Sequence, residues 1–285
     1  MARLIIVHET RYSYERPVLF GQHRLLVRPR DSHAIRVIEA RLSLSPPGDT
    51  RWVYDALGNC VCLYEPRGEA KSLSIVSRLV IERFPAPLSP DDPQTAMPIL
   101  YSHEDRLVLA PYIAPETDEE GDALLKWLAS QIGPAGEPAL DLLMRMTLAI
   151  HDGFEYRARH TEGVQSPSAT LRLRSGACRD FAWLMIEALR RLGYAARFVS
   201  GYVNSGVRRG AGATHAWVQV FLPGLGWTEF DPTNGLAESA DLIRVAVART
   251  PRGAAPVSGA ILGDPGQSDL TVSVAVSPEA PAFAA

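Results

Sequence analysis

The stretch at residues 175–183, which reads Ser-Gly-Ala-Cys-Arg-Asp-Phe-Ala-Trp, constrains the fold most, because a tight turn runs directly into a helix there. Apolar residues then cover much of the helix circumference up to Gly193, which predicts a central, buried helix. We expect Ser175 to be the N-cap and Gly176 to permit the sharp turn. Cys178 then lies in the first turn, where unpaired backbone N–H groups favour the thiolate form of a cysteine.

Cys178 has two interpretations when it is considered alone, because most free cysteines are small buried hydrophobic residues. The chain downstream favours the reactive interpretation. Residues 215–222 alternate as a strand does, a Pro-Gly-Leu-Gly turn follows, and residues 227–231 return. This hairpin brings His215 and Asp231 to the same end of two paired strands. The sequence therefore predicts a thiol, an imidazole and a carboxylate on neighbouring elements.

These three side chains match the requirements of nucleophilic catalysis by a thiol. A cysteine nucleophile needs a base that takes the thiol proton and later gives it to the leaving group. The base needs an acceptor that fixes its tautomer and stabilises the imidazolium. Cys178, His215 and Asp231 fill these roles in that order. From the residues alone a chance grouping stays open, since any chain of this size contains some Cys, His and Asp.

The charge balance and the cysteine count exclude several classes of function. With 29 basic and 32 acidic residues the formal net charge is −3, so the chain lacks the positive surface typical of nucleic-acid or membrane-surface binding. Three cysteines do not make a disulfide framework or a zinc site, and no oxygen ligands have calcium-loop spacing. We therefore predict no metal, no cofactor, no nucleic-acid partner and no membrane partner.

The cysteines and the first residues also bear on location. Cys60 and Cys62 lie on the same face of one predicted strand, where they are poorly placed to bond each other. The apolar run at residues 4–7 is too short for the core of a signal peptide, and no later run approaches a membrane span. These features predict a protein of the reducing cytoplasm.

The pattern along the chain divides it into three parts. Residues 1–84 contain short alternating runs separated by turn signals, which predicts a β-rich, sandwich-like domain. Residues 85–115 begin with closely spaced prolines and predict a linker followed by an irregular segment. Residues 116–285 contain helical patterns and then strands, so we expect an α+β core that keeps its C-terminal strands.

A glycine-rich loop at residues 205–213 precedes the His215 strand. It lacks the Lys-Ser/Thr ending of a phosphate loop, and no helix follows it, so nucleotide binding is excluded. A plain connecting loop is the default interpretation. A mobile flap beside an active site is the sharper hypothesis.

Four motifs, at residues 175–182, 197–202, 214–218 and 227–234, resemble in order and spacing the core of the bacterial transglutaminase-like family, which belongs to the papain-like superfamily of cysteine enzymes. Residues 12–14, 25–29 and 55–59 resemble the β-rich domain that precedes this core in bacterial members. The resemblance implies a papain-like core in which the cysteine helix packs on an antiparallel sheet. It implies Cys178 as nucleophile, His215 as base and then acid, and Asp231 as orienting acid. It also places Trp217 and Tyr202 at aromatic positions that line the cleft.

The expected activity is acyl transfer from an amide or peptide bond through a thioester, acting on a peptide or protein substrate. Hydrolysis is the preferred outcome, because water competes for the thioester unless a site excludes it. Cross-linking of glutamine to an amine is the alternative. A peptide-binding module that has kept the fold without catalysis is a third, although such a module would not require all three polar side chains.

Overall fold

The computed structural model describes residues 2–85, 87–89, 95–116, 122–159, 162–204 and 208–279. The first part of the chain is entirely β-structure. Its strands are β1 (Ala2–Phe20), β2 (His23–Leu25), β3 (Ile35–Ser45), β4 (Gly48–Tyr54), β5 (Cys60–Pro66) and β6 (Glu69–Arg83).

The middle of the chain is mainly helical, and the last part returns to strands. The middle contains α1 (His103–Ile113), α2 (Asp122–Gln131), α3 (Ala139–Gly153), β7 (Glu155–Tyr156), α4 (Pro167–Leu173), β8 (Ser175–Gly176) and α5 (Cys178–Arg191). The last part contains β9 (Ala196–Val203), β10 (His215–Leu222), β11 (Gly226–Asp231), β12 (Leu236–Ala237), β13 (Leu242–Ala248), a 3-10 turn (Pro251–Ala254), β14 (Val257–Ser258), β15 (Ile261–Leu262) and β16 (Ser268–Pro278).

Two facing sheets form the N-terminal β region. One has the order β15-β1-β6-β3, with β16 paired along β1, and the other has the order β14-β2-β5-β4. Alternation along the strands places apolar side chains such as Phe20, Leu25 and Leu73 between the two sheets, where they form a packed core. This arrangement confirms the predicted sandwich-like N-terminal region.

The second unit is an antiparallel sheet of order β12-β11-β10-β9-β13 with α5 packed on one face. Helix α5 is buried almost around its whole circumference, because α2, α3 and the sheet surround it. The other face of the sheet contacts the N-terminal region, where Ile243 and Tyr202 pack with Leu4 and Ile81. This confirms the predicted α+β class, with the cysteine helix on an antiparallel sheet.

A buried asparagine side chain joins the two units at the edge of β13. Asn59 Nδ2 donates to the Val247 carbonyl at 2.8 Å, and its Oδ1 accepts from the Val247 N–H at 2.8 Å. The amide therefore pairs with β13 as a neighbouring strand would. Because the amide lies between β13 and the N-terminal region, it satisfies backbone groups that would otherwise be buried without partners.

The structure differs from the predicted division of the chain in two places. The segment expected to be irregular within 85–115 contains α1, whose first turn is capped by the Ser102 hydroxyl accepting from the Asp105 N–H at 3.0 Å. Positions 86 and 90–94 of the proline-rich linker lie outside the described residues. At the C-terminal end, we assigned the strands from residue 257 onward to the α+β core, but they pair with strands of the N-terminal β region. There β14 pairs with β2, while β15 and β16 pair with β1.

Among the described residues, no helix has the length and apolar character needed to span a bilayer.

Candidate active site

The first turn of α5 is held by a carboxylate. Ala177 occupies the N-cap position, and its N–H donates to Asp180 Oδ2 at 2.8 Å. Asp180 Oδ1 accepts from the Gln165 N–H at 2.8 Å and pairs with Arg159. The predicted N-cap, Ser175, is wrong: it lies in β8, which pairs with β7. An acidic residue three positions into a helix can reach back to the N-cap backbone, and Asp180 does so here.

The structure brings the three predicted polar side chains together. Cys178 begins α5 with 9% of its surface exposed, and His215 begins β10 and is almost fully buried. His215 Nε2 donates to Asp231 Oδ2 at 2.8 Å, and the Cys178 thiol lies near enough to the imidazole to raise its pKa. Within the described part of the chain, His215 Nδ1 has no hydrogen-bond partner. The imidazole is therefore available to exchange a proton with the thiol.

His215 and Asp231 shift each other's pKa in the directions that keep both side chains charged. Burial alone lowers the pKa of His215, but the ionised Asp231, its hydrogen bond and the Cys178 thiol outweigh burial and raise the pKa to about 10. Burial acts to raise the pKa of Asp231, yet the charge and hydrogen bond of His215, with help from Asn234 and Thr233, lower it overall. At neutral pH this arrangement favours an imidazolium beside Cys178.

The turn after β11 contains a functional candidate that the sequence analysis quoted within a motif but gave no role. Asn234 Nδ2 donates to Asp231 Oδ2 at 2.8 Å and lies 3.4 Å from His215 Nε2. The sequence signal for Asn234 was a polar residue at a turn, three positions beyond Asp231. Nothing local distinguishes such an asparagine from an ordinary turn residue.

Residues 208–212, which we name the cover loop, lie across His215. Positions 205–207 of the predicted flap lie outside the described residues. Gly210 has φ +81°, and a Cβ added there would lie 2.9 Å from His215 Nδ1 and 3.5 Å from Tyr156 Oη. Tyr156, a second residue without a predicted role, thus borders the site. Burial and the nearby Cys178 charge raise its pKa to about 12.

Replacing Gly210 with alanine is expected to slow alkylation of Cys178 by about tenfold or more, because the new methyl group displaces the imidazole from the thiol. Gly212→Ala is a matched control: Gly212 has φ +85°, and a Cβ there would meet nothing within 4 Å. Both variants carry the backbone cost of a positive φ, and only Gly210→Ala disturbs His215. Iodoacetamide labelling rates at pH 7 provide the measurement. Equal rates in the two variants would refute the steric explanation.

The two aromatic residues expected to line the cleft do not reach solvent. Trp217 is fully buried and stacks on His215, with ring centroids 5.8 Å apart and planes at 29°. Tyr202 is 1% exposed, and its hydroxyl lies 3.0 Å from His8 Nδ1 in the N-terminal region. Alternation along β9 and β10 turns both side chains into packed interfaces. In this structure they support the site and the junction between the units.

The described residues contain no group of three or more His, Cys, Asp or Glu side chains that could hold a metal ion. The polar groups near Cys178 are instead engaged in hydrogen bonds with one another.

Comparison with known families supports the sequence resemblance. Residues 126–232 match the transglutaminase-like superfamily, and residues 4–82 match the bacterial transglutaminase-like N-terminal region. The first match contains Cys178, His215 and Asp231, and the second covers most of the N-terminal strands.

Individual relatives span nearly the whole chain. The uncharacterized protein Rv2569c of Mycobacterium tuberculosis is 30% identical over 97% of this chain and 93% of its own length. The uncharacterized protein ML0607 of Mycobacterium leprae is 29% identical over 97% of this chain and 99% of its own length. A solved structure from Cytophaga hutchinsonii, described as that of a candidate cysteine protease, has a TM-score of 0.74. It is 21% identical and covers 99% of this chain and 93% of that one. The structural match shows that the two proteins share a fold.

Proposed function

The chain belongs to the transglutaminase-like superfamily and has its papain-like cysteine-enzyme fold, and from this premise we propose that it hydrolyses amide or peptide bonds of a peptide or protein substrate. The observation that carries the proposal is the buried Asp231–His215 pair, whose imidazole has its pKa raised by Asp231 and by the neighbouring Cys178. A structural cysteine does not need a charged, desolvated partner of this kind.

The reaction follows from the positions of the three side chains. The Cys178 thiolate attacks the carbonyl carbon, and the negative charge that develops on the oxygen lies near the N-terminus of α5, whose first-turn backbone N–H groups can stabilise it. When the C–N bond breaks, the His215 imidazolium gives its proton to the departing amine. Asp231 remains ionised and holds the ring in place throughout.

Water then resolves the thioester. His215, now neutral, takes a proton from water as the water attacks the acyl carbon. The C–S bond breaks, the carboxylic acid leaves, and the proton on His215 restores the imidazolium–thiolate pair. We favour water over an amine as acceptor because water is the default competitor at a thioester unless the site excludes it.

The test uses dimethylated casein incubated with the protein in ¹⁸O-labelled water, with and without monodansylcadaverine. We expect ¹⁸O in new carboxyl groups, little incorporation of the amine, and loss of both in Cys178→Ala. Preferential incorporation of the amine would contradict hydrolysis and indicate cross-linking. Neither product, together with an unreactive Cys178, would indicate a binding module.

We further propose that the protein works in a reducing compartment such as the cytoplasm, because Cys60, Cys62 and Cys178 are all free thiols. Fractionation of the native cells, followed by immunodetection, tests this proposal. Recovery of the protein outside the cytoplasm would contradict it.

A further inference from the structure

Asn234 uses both ends of its side-chain amide. Its Nδ2 donates to Asp231 Oδ2 at 2.8 Å and lies 3.3 Å from the Arg209 carbonyl oxygen, while its Oδ1 accepts from the Arg209 N–H at 2.9 Å. The residue is 8% exposed. A buried amide with this many partners has a fixed orientation, since rotating it would exchange donors for acceptors at every contact.

The Asp231 carboxylate is oriented from both of its oxygens. Oδ1 accepts from the backbone N–H groups of Thr233 at 2.9 Å and of Asn234 at 3.3 Å. Oδ2 accepts from His215 Nε2 and from Asn234 Nδ2, each at 2.8 Å. The Asn234 side chain is thus the second donor on the oxygen that holds the imidazole. Without it, Oδ2 loses the contact that fixes its position beside the ring.

The cover loop is joined to the same amide. Arg209 is bonded to Asn234 through its backbone, and its guanidinium donates to the His151 carbonyl at the end of α3 at 3.0 Å. Gly210, the next residue, approaches His215 Nδ1. The loop therefore borders Nδ1 of the ring, while Asp231 holds Nε2.

We propose that Asn234 is a positioning residue, whose amide fixes the Asp231 carboxylate and the cover loop in one geometry and so aligns both nitrogens of His215 for proton exchange with Cys178. The inference rests on the proposed function, in that it assigns His215 and Cys178 the roles given above. Asn234 itself touches neither substrate nor the thiol in this assignment, and it acts through Asp231 and Arg209.

Titratable or charged groups approach the Asp231–His215 pair from four other elements. They are Cys178 at the start of α5, Tyr156 on β7, His151 near the end of α3 and Arg209 in the cover loop. Of these, His151 donates from Nδ1 to the Thr233 carbonyl at 2.8 Å, so it bears on the backbone of the turn. A change at Asn234 leaves all four in the chain, which allows its effect to be separated from theirs.

The experiment measures iodoacetamide labelling of Cys178 as a function of pH in the full chain, with thermal unfolding as a check on folding. Asn234→Ala removes the donor to Asp231. Asn234→Asp has the same shape but places an acceptor beside that carboxylate, and serves if the alanine variant does not fold. Asn59→Ala is the control, because it removes a buried side-chain amide at the junction of the two units without contacting Asp231 or the cover loop.

We expect both Asn234 variants to label Cys178 about tenfold or more slowly at pH 6 and to require a higher pH for activation. The direction follows because losing the amide donor favours the protonated form of Asp231, which no longer holds the imidazolium. Asn59→Ala should retain the pH profile of the unmodified protein. An unshifted profile in Asn234→Ala, or an equal shift in Asn59→Ala, would overturn the inference. An unactivated Cys178 in the unmodified protein would instead overturn the proposed function.

Discussion

Replacing His215 with alanine is expected to reduce the rate of Cys178 alkylation at pH 6 by about 100-fold. A free thiol with a pKa of about 8.5 is only about 0.3% ionised at pH 6, whereas a thiolate paired with imidazolium is largely ionised there. The Asp231–His215 bond keeps the imidazole charged, with a pKa of about 10. In the unmodified protein the imidazolium should therefore persist through neutral pH and be lost as the pH rises through about 10.

Labelling followed by peptide mass spectrometry measures this effect, and the other two cysteines serve as internal controls. Burial raises the pKa of Cys60, and it raises that of Cys62 to about 11, so both should label slowly in either protein. If Cys178 follows the titration of a free thiol with His215 present and absent alike, the pair does not activate it. Hydrolysis by the proposed route would then fail.

Replacing Asp180 with alanine is expected to lower the free energy of unfolding by about 3 to 5 kcal/mol, the usual cost of removing one partner from a buried ion pair. The carboxylate is fully buried and accepts from the Ala177 and Gln165 N–H groups while it pairs with Arg159. Its loss leaves the Ala177 and Gln165 N–H groups without their acceptor and frees the first turn of α5. Cys178 labelling should slow as well, because the thiol lies in that turn.

Urea unfolding of Asp180→Ala and Asp180→Asn measures the loss, and the asparagine variant should be intermediate because it keeps one oxygen acceptor. Asp141→Asn is the control, since Asp141 also lies in a first helical turn, that of α3, and is exposed. It tests the contribution of a charge near a helix N-terminus, about 0.3 to 1 kcal/mol. A loss of only that size in Asp180→Ala would contradict a capping role for Asp180.

Local patterns were sufficient to predict the central elements. The apolar circumference of α5 and the turn before it located the cysteine helix, and alternation on β10 and β11 gave the hairpin. Phe230 pairs with Val218, so Asp231 lies only two positions along from His215, within reach of its ring. The hairpin therefore brings His215 and Asp231 together, as the alternation along β10 and β11 predicted.

Other features depend on contacts that no local pattern encodes. Helix α1 has little amphipathic character, since Leu107 and Val108 are exposed and Pro111 lies inside it, so it produced no helical signal. The burial of Trp217 and Tyr202 depends on which face of the sheet meets the N-terminal region. The role of Asn234 depends on the cover loop folding back over β11, a contact between distant segments.

The pairing of β16 along β1 sets an order of events during synthesis. Leu4 lies opposite Pro278, so the ribosome must reach the far end of β16 before Leu4 on β1 acquires its neighbour on that side. At roughly 5 to 20 residues per second, β1 waits roughly 10 to 50 s with that edge open. An open edge of this length invites pairing with other nascent chains. Truncating the gene before β16 should therefore yield aggregates, even though every residue of the candidate active site would still be translated.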